Sequence, residues 1–199
     1  MEHPHATLRD RRRTETAFHI QFVTLDLIRK HGLANVSSEM IAAEAGISKR
    51  TFFNYYTNKE AAAVGPASGF EETALAAFAA AKGRLTDDIA DLLRDLLQSR
   101  PAQKETIRAI DEVLIHSPSL LPAFRASMNI ITDQMTALLT ARLGPAQEKT
   151  AAATAELVGI VLIQALQLWA HDDGMKLEDA MRFLTGQLEA IGGLLAPKA

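Results

Sequence analysis

The chain of 199 residues contains no cysteine. That excludes disulfide scaffolds, thiolate metal centres and cysteine nucleophiles. Aromatic residues make up only 6%, and the seven Pro and eleven Gly are few and clustered. Ala and Leu are abundant instead, a balance that favours an all-α protein. No uninterrupted apolar run reaches the roughly 18 residues of a membrane span. The opening stretch MEHPHATLRDRRRTET is basic, but no apolar segment follows before a charged residue intervenes, so it does not read as a secretory signal. A soluble, cytoplasmic chain with no membrane partner is the expectation.

Catalytic signatures are missing too. There is no Gly-rich nucleotide loop, no His pair at metal spacing on one helix and no nucleophile motif. The six histidines (His3, His5, His19, His31, His116 and His171) are scattered. Asp172-Asp173 falls at a helix end, where a solvated turn explains it better than a pair of working carboxylates. The sequence therefore predicts no enzyme, no metal site and no cofactor.

What is present is apolar mass and helical punctuation. Apolar residues form 48% of the chain, enough for a sizeable core. The net charge of −3 is unevenly spread: residues 1–60 hold nine Lys and Arg against seven Asp and Glu, and the remainder twelve against seventeen. An asymmetry this small adds little. Arg9, Arg11, Arg12 and Arg13 cluster in residues 1–13, which read as a flexible basic arm. It is either a solvated tail or an arm that follows phosphates or enters a minor groove.

Helical periodicity begins near Arg13. Ile20, Val23, Leu27 and Ile28 form a core-facing stripe, and Gly32 closes the helix behind Arg29, Lys30 and His31. Phe18, Phe22 and Leu25 form a second apolar face that predicts packing against another layer. Ser37 caps a second helix, which Gly46 stops. Ser48 caps a third, Lys49 to about Tyr55, and Asn58 a fourth. Gly65-Pro66 then breaks the pattern. Further helices are predicted at 71–82, 86–99, 102–116, 119–143, 146–171 and 176–195, making about nine or ten in all, with no strands.

The informative stretch is SSEMIAAEAGISKRTFFNYYTNK, Ser37 to Lys59. Ala42 is small enough for close helix approach. Gly46 allows a positive φ at the turn. Ile41, Ile47 and Phe52 form a small core, leaving Lys49, Arg50, Thr51 and Asn54 outward. That pattern is a helix-turn-helix with its reading helix exposed, or equally, on spacing alone, a helical hairpin with an ordinary charged surface. The outward chemistry suits DNA: Lys and Arg donate to guanine O6 and N7, and Asn pairs with adenine. Tyr55 and Lys59 are placed to hold phosphates and fix the docking register.

Residues 20–60 resemble the DNA-binding domain of the TetR family of transcriptional regulators. IQFVTLDLIRKHG is similar to that family's first helix, and VSSEMIAAEAGISKRTFFNYYTNKE to its signature, without insertion or deletion. The resemblance covers about a fifth of the chain. It implies an all-α fold: a three-helix head, residues 1–60, and a helical bundle, residues 61–199, that binds a ligand and dimerises. It implies that Lys49, Arg50, Thr51, Asn54 and Tyr55 face double-stranded operator DNA, and that Ser37, Ser38, Tyr55 and Lys59 contact phosphates. Ser48 starts the reading helix and counts among the DNA-binding residues. Phe53 stands where the family usually has Tyr; its ring can meet a thymine methyl or the sugar but cannot donate to phosphate.

The resemblance further implies a homodimer through about 146–171 and 176–195, a palindromic operator and release by a small-molecule effector. Residues 146–171 are apolar nearly all round, which calls for burial on most sides, in a partner or in a large monomeric core. Pocket candidates are His116, Phe124, Met128, Met135, Gln164, Gln167 and Trp169, for which ordinary packing or exposure is the competing reading. The expected function is a ligand-responsive repressor; an activator, or a regulator with no effector, are the alternatives.

Overall fold

The computed structural model describes residues 8–66, 69–99 and 103–196. Among them the chain is helical with no strand. In order the helices are α1 (Leu8–His31), α2 (Ser38–Glu44), α3 (Lys49–Tyr55), α4 (Lys59–Val64), α5 (Glu72–Ala80), α6 (Leu85–Ser99), α7 (Lys104–His116), α8 (Leu121–Leu143), α9 (Glu148–His171) and α10 (Leu177–Leu195). Three short 3-10 turns, Leu33–Asn35, Pro118–Leu120 and Pro145–Gln147, fill connections. Two compact units result: Met1–Ala67 with Ala109–Ser127, and Ser68–Arg108 with Met128–Ala199. The sequence places a boundary at residue 60; by Cα packing the first unit continues through Ala67 and also takes in Ala109–Ser127.

In the first unit, α1 packs on α2 and α4, and α2 on α3. The predicted stripe of Ile20, Val23, Leu27 and Ile28 is buried, together with Ile41, Ala42, Phe52 and Val36. Later in the chain, Ala109, Val113 and Leu120 join the same cluster. The second face of α1 divides: Leu25 is buried, while Phe22 is 58% exposed. The helix also starts earlier than its periodicity suggests. It begins at Leu8, so Arg9 to Arg13, expected in a basic arm, are helical. The expected arm's residues 1–7 lie outside the described residues.

In the second unit, α10 packs on α9 and α6, and α5 on α6. Phe78, Leu93, Met135, Leu139, Val158, Leu162, Ala165, Trp169 and Leu184 are core members. Helix α9 buries eight residues, from Ala151 to Ala170. By mean hydropathy and length, Pro145–His171 would suffice to cross a membrane, which counting uninterrupted runs overlooks. Its buried face accounts for part of that apolarity. Lys104 donates to the carbonyl of Met175 at 2.9 Å and to that of Asp172, and Arg108 to that of Ala170. These cations satisfy carbonyls at and beyond the C-terminal end of α9, where helical partners run out. Asp172-Asp173 is the exposed turn foreseen: Asp172 accepts from Gly174 N–H at 2.8 Å, and Asp173 pairs with Arg108.

Candidate nucleic-acid interface

The site is the α2–turn–α3 hairpin. Helices α2 and α3 are seven residues each, too short to persist alone in water. Side-chain caps and one shared core hold them. Ser37 Oγ accepts from Met40 N–H at 3.2 Å, and Ser48 Oγ from Thr51 N–H at 3.0 Å. Asn58 Oδ1 does the same for α4, from Ala61 N–H at 2.7 Å. Between α2 and α3, Ile47 N–H returns to Ala42 O at 2.9 Å. Gly46 supplies φ 66° there. A Cβ at Gly46 would meet nothing within 4 Å, so its dihedral, and not crowding, demands glycine.

Under the hairpin Phe52 and Ile41 are fully buried, with Ile47 packed against them. Phe53 stands edge-on to Phe52, ring centroids 5.2 Å apart, and is itself 47% exposed. Tyr56 is buried, and its hydroxyl donates to Ala17 O at 2.9 Å. Burial pushes its phenol pKa upward from the ordinary value. The aromatic run therefore splits by helical phase: Phe52 and Tyr56 inward, Phe53 outward.

Half of the ten expected DNA-facing residues are exposed and half are partly buried. Ser48, Lys49, Arg50, Phe53 and Asn54 are exposed; Ser37, Ser38, Thr51, Tyr55 and Lys59 are half-buried. The side chains of Arg50 and Asn54 make no hydrogen bond or ion pair among the described residues. Thr51 Oγ1 lies 2.7 Å from Ser48 Oγ. Lys59 was expected at a phosphate, but its ammonium donates to Leu33 O at 2.6 Å and Val36 O at 2.9 Å. It braces the connection between α1 and α2.

Three contacts near the site are not legible in the sequence. Glu39, in the first turn of α2, forms an ion pair with Lys49 at the start of α3. That ammonium holds the Glu39 carboxyl below the usual carboxylate range. The Arg13 guanidinium lies 5.6 Å from the Tyr55 ring centroid. Buried Gln21 donates to Val64 O at 2.8 Å and fills the space a Cβ at Gly65 would need. All three join residues distant in sequence, and no spacing rule relates them.

Residues 23–61 match the family model described as bacterial regulatory proteins, tetR family. Over 58 residues the chain is 45% identical to the mycofactocin biosynthesis transcriptional regulator MftR of Mycobacterium tuberculosis, which covers 29% of each protein. This segment is thus similar to the DNA-binding domain of the tetR family. The alignment spans less than a third of that relative's length. Among solved structures, a TetR-family transcriptional regulator from Mesorhizobium loti matches with TM-score 0.54 at 15% identity, over 92% of this chain and 98% of the other. It shows the shared fold. FadR of Thermus thermophilus, a TetR-family repressor solved with lauroyl-CoA, matches with TM-score 0.49 at 20% identity, over 92% and 97%. The matched segment is one found in DNA-binding transcriptional regulators.

The pocket candidates do not form one cluster within either unit. His116 and Phe124 belong to the first unit and the other five to the second. His116 is exposed, with Nδ1 2.8 Å from Glu112 O. Phe124 and Met128 are half-buried. Met135 and Trp169 are core residues, with Lys104 5.5 Å from the Trp169 ring centroid. Gln164 and Gln167 are exposed on α9.

Proposed function

We propose that this protein is a repressor that binds a palindromic operator as a homodimer and is released by a small hydrophobic effector. One observation carries the reading. Helix α3 buries Phe52 completely while Lys49, Arg50 and Asn54 stay exposed. It is therefore a rigidly seated rod with hydrogen-bonding side chains aimed outward, as major-groove readout needs. In the head, Lys49, Arg50 and Asn54 read bases with Phe53 beside them, while Ser37, Ser38, Ser48, Thr51 and Tyr55 set the register on phosphates.

The dimer forms through α9 and α10. Ile160 and Leu168 of α9 are about half exposed; Ile160 lies opposite the buried stripe and Leu168 at its edge. On α10, Gly186, Ala190 and Gly193 are exposed, and a Cβ at either glycine would meet nothing within 4 Å. Glycine inside a helix costs about 1 kcal/mol relative to alanine, and nothing within the chain requires it there. A partner helix approaching closely would. The effector belongs in the apolar second unit, and operator and effector each weaken the other by one factor, about 5–150-fold. The protein acts in the cytoplasm.

Selection from random duplex DNA with the purified full chain tests this. The expected outcome is an inverted repeat with half-site centres about one helical turn (~34 Å) or slightly more apart. No enrichment, or a single asymmetric half-site, would sink it. Gly186→Leu combined with Gly193→Leu should yield monomers by sedimentation and lose the repeat. A thermal-shift screen of hydrophobic small molecules separates an effector-controlled repressor from one without an effector.

A further inference from the structure

The ion pair between Glu39 and Lys49 lies among the side chains that α3 turns outward. Both partners are more than half exposed, at 59% and 57% of the side chain. Lys49 opens α3, and its ammonium rests 6.0 Å from the ring centroid of Phe53, one helical turn further on. Surface pairs of this kind stabilise a fold little. At a DNA surface the pair has a second consequence. A lysine is a point charge on a flexible stem, and a free one settles on whichever phosphate is nearest. Anchored by a carboxylate from the neighbouring helix and laid against an aromatic ring, it keeps two of its three donors and loses most of its reach. The same carboxylate repels phosphate, which biases the ammonium toward base edges such as guanine O6 and N7.

We propose that Glu39 is a positioning residue for sequence readout, acting through Lys49 by holding its ammonium against Phe53 and away from the phosphate backbone. The proposal rests on the operator-binding reading above. Glu39 is ionised at neutral pH, as an ordinary glutamate is, and Lys49 lowers its carboxyl pKa further, so the anchor is present under ordinary conditions.

The test uses the full chain, its selected operator and a scrambled duplex over a range of salt concentrations, with E39Q, E39D, K49A and both Glu39 changes in the K49A background. E39Q and E39D should each lower the operator-to-scrambled affinity ratio by up to about fivefold, the upper range of an exposed pair. Aspartate keeps the charge but loses the reach. E39Q should also tighten binding to the scrambled duplex and steepen its salt dependence by up to about one counterion. In the K49A background neither change should alter the ratio further. A ratio unchanged in E39D, or lowered equally with and without Lys49, overturns the inference and leaves operator binding intact. A fall in thermal midpoint that tracks the loss of ratio makes the role structural and overturns it as well. A wild-type chain with no sequence preference overturns the operator reading and this inference together.

Discussion

The two units solve helix stability in different ways. In the first, α2, α3 and α4 are six or seven residues long, and each begins with a side chain that accepts an orphan backbone N–H: Ser37, Ser48 and Asn58. In the second, α9 runs 24 residues with no side-chain cap at its start and is held by a buried apolar stripe. Short helices bury too little to define their own ends, so polar caps set them. A helix as long as α9 buries enough that a side-chain cap becomes dispensable, although α10 in the same unit still begins with a bond from Lys176 N–H to the Asp179 carboxylate. A head that must present α3 in one orientation needs defined ends. The tightly punctuated region is therefore also the one that carries the recognisable motif.

This contrast can be broken experimentally, and the chain offers separate probes. Both tyrosines, Tyr55 and Tyr56, lie in the first unit, and the single Trp, Trp169, in the second. Phe52→Ala should have the largest effect, about 3–5 kcal/mol for a buried aromatic. It should melt the tyrosine signal early while the Trp169 transition stays in place; a shift of both together would mean that the units do not unfold separately. Gly65→Ala should follow at about 1–3 kcal/mol, since it combines φ 99° with a Cβ that would strike Gln21. Gly46→Ala, at a similar dihedral in open space, should cost about 1–2 kcal/mol. Equal losses at the two glycines, by urea titration, would mean that the Gln21 side chain yields freely.

Smaller effects sharpen the capping argument. Ser48→Ala and Asn58→Ala should each cost about 1 kcal/mol, whereas Gln147→Ala before α9 should stay within about 0.5 kcal/mol. Comparable losses at all three would end the distinction between capped and uncapped helices. Arg50→Ala should leave stability unchanged, weaken the operator by about 1–3 kcal/mol and relax one base position. Lys59→Ala should lower the melting point of the first unit with little change in salt slope, because its ammonium serves two carbonyls. Finally, the two units should part on alkaline titration. The Tyr56 phenol pKa is raised by burial above its ordinary value of 10.0, so the stability it contributes is complete below pH 10 and falls as pH rises toward the higher folded pKa. Tyr56→Phe should remove that dependence from the first unit and leave the Trp169 signal untouched.

Much of this is legible in the sequence, because the signals are local. A Ser or Asn ahead of an apolar repeat marks a helix start, and a Gly or Pro marks its end. The predicted 86–99 and 146–171 became Leu85–Ser99 and Glu148–His171. At the site, the inward and outward sorting of Phe52 and Phe53 follows from helical phase alone. The start of α1 was misplaced because Leu8 to Arg13 is too polar to show periodicity, and helix continuation there needs no apolar stripe. The assignment of Lys59 was incomplete for another reason. Its acceptors, Leu33 O and Val36 O, are backbone atoms more than twenty residues away, which no side-chain pattern announces.

Local chemistry along the chain was enough to set helix type, most helix limits, the caps and the turn glycine, since each depends on residues within a few positions of one another. Tertiary structure alone decided that Ala109–Ser127 joins the first unit, that Glu39 meets Lys49, and that Gln21 occupies the space beside Gly65. Those outcomes depend on which surfaces the chain brings together across tens of residues. They are set by mutual fit and electrostatics in three dimensions, and a one-dimensional pattern carries no record of them.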